Sequence, residues 1–163
     1  MKKFMALALL VVIFLACDYA KESLELKPDI EVTWINPVAW VTFPGDTIDA
    51  AMIEEIHFVA RNSIDSYLKE FTLEYYHDDT VLFFGPSDPI AIYGKIEGIV
   101  SPAIVDTFVL LGVPVPLGPA RDYLGPNEAA RVLLRFVAFD ELFEETDTTD
   151  VWFGIWMLPT QPE

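Results

Sequence analysis

Short apolar runs separated by Pro, Gly, Asp and Asn dominate the chain from Glu31 onward. The clearest run covers residues 67–76, where Phe71, Leu73 and Tyr75 alternate with Glu and Thr side chains. A period of two is typical of a β-strand that buries one face and exposes the other. We therefore predict an all-β chain of short strands, with turn residues between them.

The same kind of pattern predicts further strands in both halves of the chain. They cover residues 32–43, 53–62, 81–84, 90–100, 108–113, 130–139 and 151–157. The first contains Asn36-Pro37, and because proline cannot donate a ladder hydrogen bond, we expect an edge strand or a strand broken by a bulge. Five prolines between Pro102 and Pro126 argue against a regular helix in that stretch.

Two of these segments also fit a helix. Apolar side chains within 46–62 roughly follow a helical period, and Asn127 could act as the N-cap of a helix over 127–145. Both segments are rich in β-branched and aromatic residues, which favour strands. We therefore prefer strands and keep the helices as alternatives.

The N-terminus has a different pattern. Lys2 and Lys3 precede an uncharged apolar run over 4–16, and Cys17, the only cysteine of the chain, follows it. The run is too short to cross a hydrocarbon core about 30 Å thick, which needs roughly 20 helical residues. A basic start, a short apolar stretch and a small residue together are typical of a secretory signal peptide.

The sequence Leu15-Ala16-Cys17 resembles the end of a bacterial lipoprotein signal peptide. This resemblance implies that the Cys17 thiol receives a diacylglycerol and that cleavage then makes Cys17 the acylated N-terminus. We therefore expect an extracytoplasmic protein anchored to the membrane of the cell envelope by fatty acyl chains such as palmitate. Whether the inner or the outer membrane holds it stays open.

This interpretation divides the chain into three parts. We predict a signal-peptide helix over 1–16, a lipidated N-terminus and polar tether over 17–31, and a single β-sandwich domain over 32–163. No cysteine follows Cys17, so no intramolecular disulfide can stabilise the domain, and its stability must come from a buried core.

The overall charge excludes one class of partner. The chain carries 26 Asp and Glu against 10 Lys and Arg, a formal net charge of −16. This charge repels nucleic-acid phosphates, and no basic patch offsets it, so we predict no nucleic-acid binding. It also repels anionic lipid headgroups, which leaves membrane attachment to the lipid on Cys17. An apolar content of 53% nevertheless predicts a folded domain.

Three features follow one another within residues 45–158. They are a strand that ends in Asn at 58–62, an alternating strand at 68–76, and a Pro-acid turn before a later strand at 124–136. In this order they resemble the Ig-like modules of cell-surface proteins, of the fibronectin type III and CARDB kind. This resemblance implies an Ig-like antiparallel β-sandwich. Residues 80–123 form an irregular Pro/Gly-rich insertion in this comparison.

An acidic loop between the last two predicted strands is a candidate calcium site. Calcium takes six to eight oxygen ligands from carboxylates and carbonyls, and weak extracellular sites fill at ambient calcium. The spacing is not that of an EF-hand, and the alternative is a solvated hairpin loop. The candidate ligands are Asp140, Glu144, Glu145, Asp147 and Asp150.

Trp152 and Trp156 are candidate ligand-binding residues. Alternation places them opposite Phe153 and Ile155, and surface aromatics that stack on ligands could line a sugar or peptide groove. Burial is the more common place for tryptophan in a sandwich, and we expect the core to take these residues.

No motif in the sequence indicates a particular catalytic reaction. His57 and His77 lie on different predicted strands without HExxH spacing, and no serine lies in Gly-x-Ser-x-Gly. We predict a non-enzymatic interaction or structural module with no cofactor, whose partner is an envelope protein or a glycan. The alternative is an extracytoplasmic protein that binds calcium or a small ligand.

Overall fold

The computed structural model describes residues 27–100, 105–142 and 145–160. The predicted signal-peptide helix, Cys17 and most of the predicted tether lie outside these residues, as does Glu144. Of the described residues, none belongs to a helix that is long and apolar enough to cross a membrane.

Nine strands and one short helix make up the described part of the chain. In chain order they are β1 Ile30–Asn36, β2 Ala39–Thr42, β3 Ala50–Ala60, β4 Ser66–His77, β5 Val81–Phe84, β6 Ile90–Ile96, β7 Phe108–Pro116, α1 Gly118–Tyr123, β8 Ala129–Asp140 and β9 Thr146–Met157.

The strands form two sheets that pack on each other. The smaller sheet has the order β1-β3-β7, and the larger has the order β2-β9-β8-β4-β5, with β6 also paired to β4. If β1, β3 and β7 are named A, B and E, and β4, β8 and β9 are named C, F and G, this is the strand order of an Ig-like sandwich without strand D. The predicted fold class is confirmed.

The first predicted strand is divided between the two sheets. β1 pairs antiparallel with β3, whereas β2 pairs parallel with β9, and the cis peptide bond Asn36-Pro37 lies between them. Both β1 and β2 are edge strands. The proline therefore lies where no ladder hydrogen bond is needed, as the sequence predicted.

The core lies between the sheets and is rich in aromatic rings. Phe58 of β3 packs edge-on against Phe136 of β8, with ring centroids 5.0 Å apart, and Phe71 of β4 lies 5.4 Å from Phe136. All three rings are buried, as are Leu73 and Tyr75. The alternation in the sequence therefore predicted correctly which face of β4 packs in the core.

Both helical alternatives are wrong. Residues 46–62 contain β3, and residues 127–145 contain β8. In each segment, side chains such as Phe58 and Phe136 meet across the two sheets, and this burial outweighs any helical periodicity. Asn127 adopts a φ of 67° ahead of β8 and does not start a helix there.

The predicted Pro/Gly-rich insertion is mostly regular structure. It contains β5, β6, β7 and α1. The expectation of no regular helix is wrong, because Pro119 occupies the first turn of α1, where a missing N–H costs no helical hydrogen bond. β7 tolerates Pro114 and Pro116 because it is an edge strand.

Two polar contacts tie the end of this region to the sandwich. The buried Tyr75 hydroxyl donates a hydrogen bond of 2.8 Å to the Pro116 carbonyl, which joins the larger sheet to the end of β7. Arg121 of α1 donates a hydrogen bond to the Asp46 carbonyl in the loop between β2 and β3. These contacts hold α1 against one end of the two sheets.

Candidate functional site

Strand β9 places two indoles on the outer face of the larger sheet. Trp152 is 37% exposed and Trp156 is 54% exposed, while Phe153 and Ile155 are fully buried in the core. The alternation predicted from the sequence is therefore confirmed, but the expectation that these tryptophans enter the core is wrong. The inner face of β9 is already filled by Phe153, Ile155 and Met157.

A groove of about 630 Å³ lies beside these indoles. Its lining includes Trp152, Trp156 and, between them on β9, Gly154. Because Gly154 has no side chain, only backbone separates the two indoles along the strand. A Cβ at Gly154 would lie 3.2 Å from the Ala39 Cβ and 3.8 Å from the Trp156 Nε1, so glycine keeps this part of the groove open.

Arg131, on the neighbouring strand β8, also lines the groove. It pairs with Gly154 in the register of β8 and β9, and its guanidinium lies 4.5 Å from the centroid of the Trp152 ring. Its Nη1 lies 2.9 Å from Asp79 Oδ1. Trp152 is therefore covered by a cation that a carboxylate holds in place.

The acceptors at the rim come from the turn after β4. Asp78 and Asp79 have φ angles of 50° and 61°, a left-handed conformation that Asp tolerates better than most residues. Asp78 also lies 3.5 Å from the His77 imidazole. The groove thus has one guanidinium and two carboxylates beside its aromatic surface.

The contacts of the two indoles differ. Tyr76 packs edge-on against Trp152, with centroids 5.5 Å apart and planes at 68°. Trp152 is therefore contacted by both Arg131 and Tyr76. Within residues 27–100, 105–142 and 145–160, no ring or cation packs on Trp156. Trp156 has the freer aromatic face.

A polar network continues along the same sheet face. Arg135 contacts both carboxylate oxygens of Asp150, at 3.0 Å from Nε and 3.1 Å from Nη2, and this hydrogen bonding raises the pKa of Arg135. The Tyr76 hydroxyl donates to Glu74, and this hydrogen bond raises the pKa of Tyr76. The Arg135 Nη1 also lies 3.8 Å from the Glu74 Oε1, so these contacts together link β4, β8 and β9.

The candidate calcium ligands have protein partners along the β8–β9 hairpin. The Asp147 carboxylate accepts a 2.8 Å hydrogen bond from the Ile30 N–H, and Glu145 lies 3.4 Å from the Lys27 Nζ. Asp140 accepts a hydrogen bond from the Glu145 N–H at 3.3 Å. Asp150 pairs with Arg135. Among the residues that the structure describes, no group of three or more His, Cys, Asp or Glu could hold a metal ion.

Calcium binding therefore stays a prediction, and Glu144 lies outside the described residues. The acidic loop is shorter than expected, because β8 extends to Asp140 and β9 already begins at Thr146. The two histidines are also placed apart. His57 lies on β3 of the smaller sheet, near Glu55 and Trp34, whereas His77 ends β4 of the larger sheet.

Sequence reasoning missed Arg131 and Asp79 as members of the groove. The alternation of β8 does place Arg131 opposite Val132 and Leu134, so its outward direction was available from the sequence. The neighbours of Arg131 were not available from the sequence, because the register of β8 with β9 pairs it with Gly154, a residue more than 20 positions later.

No protein-family model matches this sequence, and no curated protein matches it. The chain folds as an Ig-like all-β sandwich with an aromatic groove on one outer face. The closer likeness to fibronectin type III or CARDB modules stays a prediction.

Proposed function

We propose that this protein is a non-enzymatic binding module of the cell envelope, anchored by a lipid on Cys17, that contacts its partner through the groove between Trp152 and Trp156. The observation that carries this proposal is the exposure of both indoles, 37% and 54%, on either side of Gly154. Large aromatic side chains are enriched at binding surfaces, where they lose their contact with water on binding.

The chemistry of the groove supports binding rather than catalysis. Its described lining residues include no Ser, Thr, Cys or His, so they offer no hydroxyl or thiol nucleophile next to a base. The one guanidinium, that of Arg131, is engaged by Asp79 and by the Trp152 ring. Such an arrangement orients a ligand.

The charge of the chain supports a lipid anchor. At a formal net charge of −16, the protein gains nothing from electrostatic attraction to anionic headgroups. Two or more acyl chains on Cys17 would supply stable attachment, whereas one chain binds only marginally. The sandwich would then present its groove outside the membrane surface.

The anchor is tested by the mass of the native protein extracted from membranes. We expect a chain that begins at Cys17 and carries a diacylglycerol, and we expect Cys17→Ser to retain residues 1–16. A native protein with an intact Met1 and no acyl chain would refute the anchor.

The binding face is tested by partner capture from detergent-solubilised native envelopes. Trp156→Ala is compared with Trp34→Ala, since Trp34 is 46% exposed but lies on the smaller sheet. We expect at least one partner that is retained by Trp34→Ala and lost by Trp156→Ala. Identical capture by both variants would show that the groove is not the binding face.

A further inference from the structure

We infer that the ligand of this groove is a neutral oligosaccharide that stacks on Trp156 and hydrogen-bonds to Arg131 and Asp79. This inference rests on the proposed function and names the ligand class of the same groove. It is argued from the spacing of the indoles, the polar atoms beside them and the charge of the surface.

The spacing of the two tryptophans suits a short run of sugar rings. Residues on one face of a strand repeat about every 6.8 Å, so the Cα atoms of Trp152 and Trp156 lie about 13 Å apart along β9. The Trp156 indole leans back towards Trp152, because its Nε1 lies 3.8 Å from a Cβ position at Gly154. Gly154 leaves the floor between them without a side chain. A groove of about 630 Å³ is within the range of small-ligand sites. A linear oligosaccharide can follow this floor from one indole to the other.

The two indoles differ in how much of their surface is available to a ligand. Arg131 already covers Trp152 at 4.5 Å, and Tyr76 contacts the same ring edge-on. Trp156 is 54% exposed and supplies the stacking surface. The apolar C–H face of a pyranose ring gains from this contact as any apolar surface does when it leaves water.

The polar atoms match hydroxyl groups. A hydroxyl both donates and accepts hydrogen bonds, so it pairs with a guanidinium N–H and with a carboxylate oxygen. Arg131 and Asp79 present these two kinds of atom from one ion pair of 2.9 Å. Asp78, one residue earlier in the same turn, adds further acceptors at the rim.

The charge favours a neutral ligand. An anionic glycan would meet two carboxylates, Asp78 and Asp79, and a chain with a net charge of −16. A cationic peptide would meet Arg131, which already takes the cation position over Trp152. A neutral polyhydroxyl chain avoids both repulsions.

The test is calorimetric titration of the membrane-extracted protein in a zwitterionic detergent that has no sugar headgroup. The probes are neutral tetrasaccharides of glucose, galactose, mannose and N-acetylglucosamine in α and β linkages. We expect at least one to bind, and we expect Trp156→Ala to weaken that binding by about tenfold or more. Trp34→Ala is the matched control and should bind as the unchanged protein does.

Two further variants separate stacking from misfolding. Trp156→Phe keeps an aromatic face and should restore part of the affinity, and Arg131→Gln should weaken binding while leaving the sandwich folded. Circular dichroism checks the fold of each variant. Failure of all neutral probes at millimolar concentration overturns the inference. Binding that persists in Trp156→Ala also overturns it.

Two charged probes identify the competing classes. Preferential binding of a tetragalacturonate would indicate an anionic glycan, and preferential binding of an oligolysine peptide would indicate a cationic protein segment; either result overturns the inference. The outcome is separable from that of the proposed function. If the native protein carries no acyl chain, the anchor is refuted but the sugar titration still tests the ligand. If Trp156→Ala loses a partner and no sugar binds, the ligand class is refuted but the groove is still the binding face.

Discussion

The guanidinium of Arg131 lies 4.5 Å from the centroid of the Trp152 ring, and Asp79 holds its Nη1 at 2.9 Å. The three residues come from β8, β9 and the turn after β4. Their contact links neighbouring strands of the larger sheet at the groove. It also explains why Trp156 and not Trp152 has the freer aromatic face.

Replacement of Arg131 by Ala should uncover Trp152. We expect stronger acrylamide quenching of tryptophan fluorescence and a free energy of unfolding lower by about 0.5–1 kcal/mol, the usual value of an exposed cation–π contact. Urea unfolding measures the second quantity. Arg61→Ala, directly after β3 of the smaller sheet, is the control. The quenching difference should vanish in a Trp152→Phe background, and a difference that persists there would contradict the contact.

Replacement of Tyr75 by Phe should weaken the link between the sheets. The buried hydroxyl donates a 2.8 Å hydrogen bond to the Pro116 carbonyl, and burial raises the pKa of Tyr75. We expect the free energy of unfolding to fall by about 1 kcal/mol, the net value of one such bond. Tyr93→Phe is the control, since Tyr93 is 81% exposed. Equal stability of the two variants would refute the link.

Asp65 should contribute to stability in a pH-dependent way. The Lys95 Nζ lies 2.6 Å from Asp65 and the Gly98 N–H donates at 2.8 Å, and together they hold the pKa of this carboxyl below its usual 3.8. A lowered pKa in the folded state means that the unfolded state takes up the proton first. The contribution is thus present above pH 3.8 and is lost as the pH falls through the folded-state pKa.

Asp65→Asn should therefore be less stable than the unchanged protein at neutral pH, and the difference should shrink in acid below pH 3.8. Urea unfolding across this range measures it. Asp88→Asn, at an exposed site before β6, should keep the acid dependence of the unchanged protein. A difference between Asp65→Asn and the unchanged protein that is constant with pH would show that the carboxylate charge does not matter.

Millimolar calcium should leave the melting temperature almost unchanged. Asp147 and Asp150 are engaged by the Ile30 N–H and by Arg135, so a cation at the hairpin must first displace these partners. Thermal melts with and without calcium check this expectation. A clear rise in the melting temperature that is lost in Asp147→Asn would establish the calcium site, and Asp106→Asn serves as the control.

The strands could be predicted from the sequence because the alternation of apolar and polar residues that defines a strand involves only residues close together in the chain. In β4 the alternation of Phe71, Leu73 and Tyr75 against polar residues already specifies a strand with one buried face. The same period predicted that Trp152 points away from Phe153. It did not predict the exposure of Trp152, since burial depends on whether another layer covers that face.

The remaining errors have the same origin. The helical alternative for 127–145 was settled by the contact of Phe136 with Phe58 in the opposite sheet. The division of the first strand at Asn36-Pro37 was predicted as a bulge or an edge, but the parallel pairing of β2 with β9 depends on residues more than 100 positions later. Local propensity is a weak guide where such distant contacts decide.

The sequence by itself determined the all-β class, the strand faces, the strong negative charge and the expectation of an anchor at Cys17. The first three follow from composition and from a period of two between neighbouring residues, whereas the expected anchor follows from the resemblance of residues 1–17 to a bacterial lipoprotein signal peptide. Only the tertiary structure decided that Trp156 is exposed, that Gly154 opens a groove and that Arg131 lies between Trp152 and Asp79. The physical reason is that strand register and sheet packing are set by long-range burial, which brings residues from separate strands into one site.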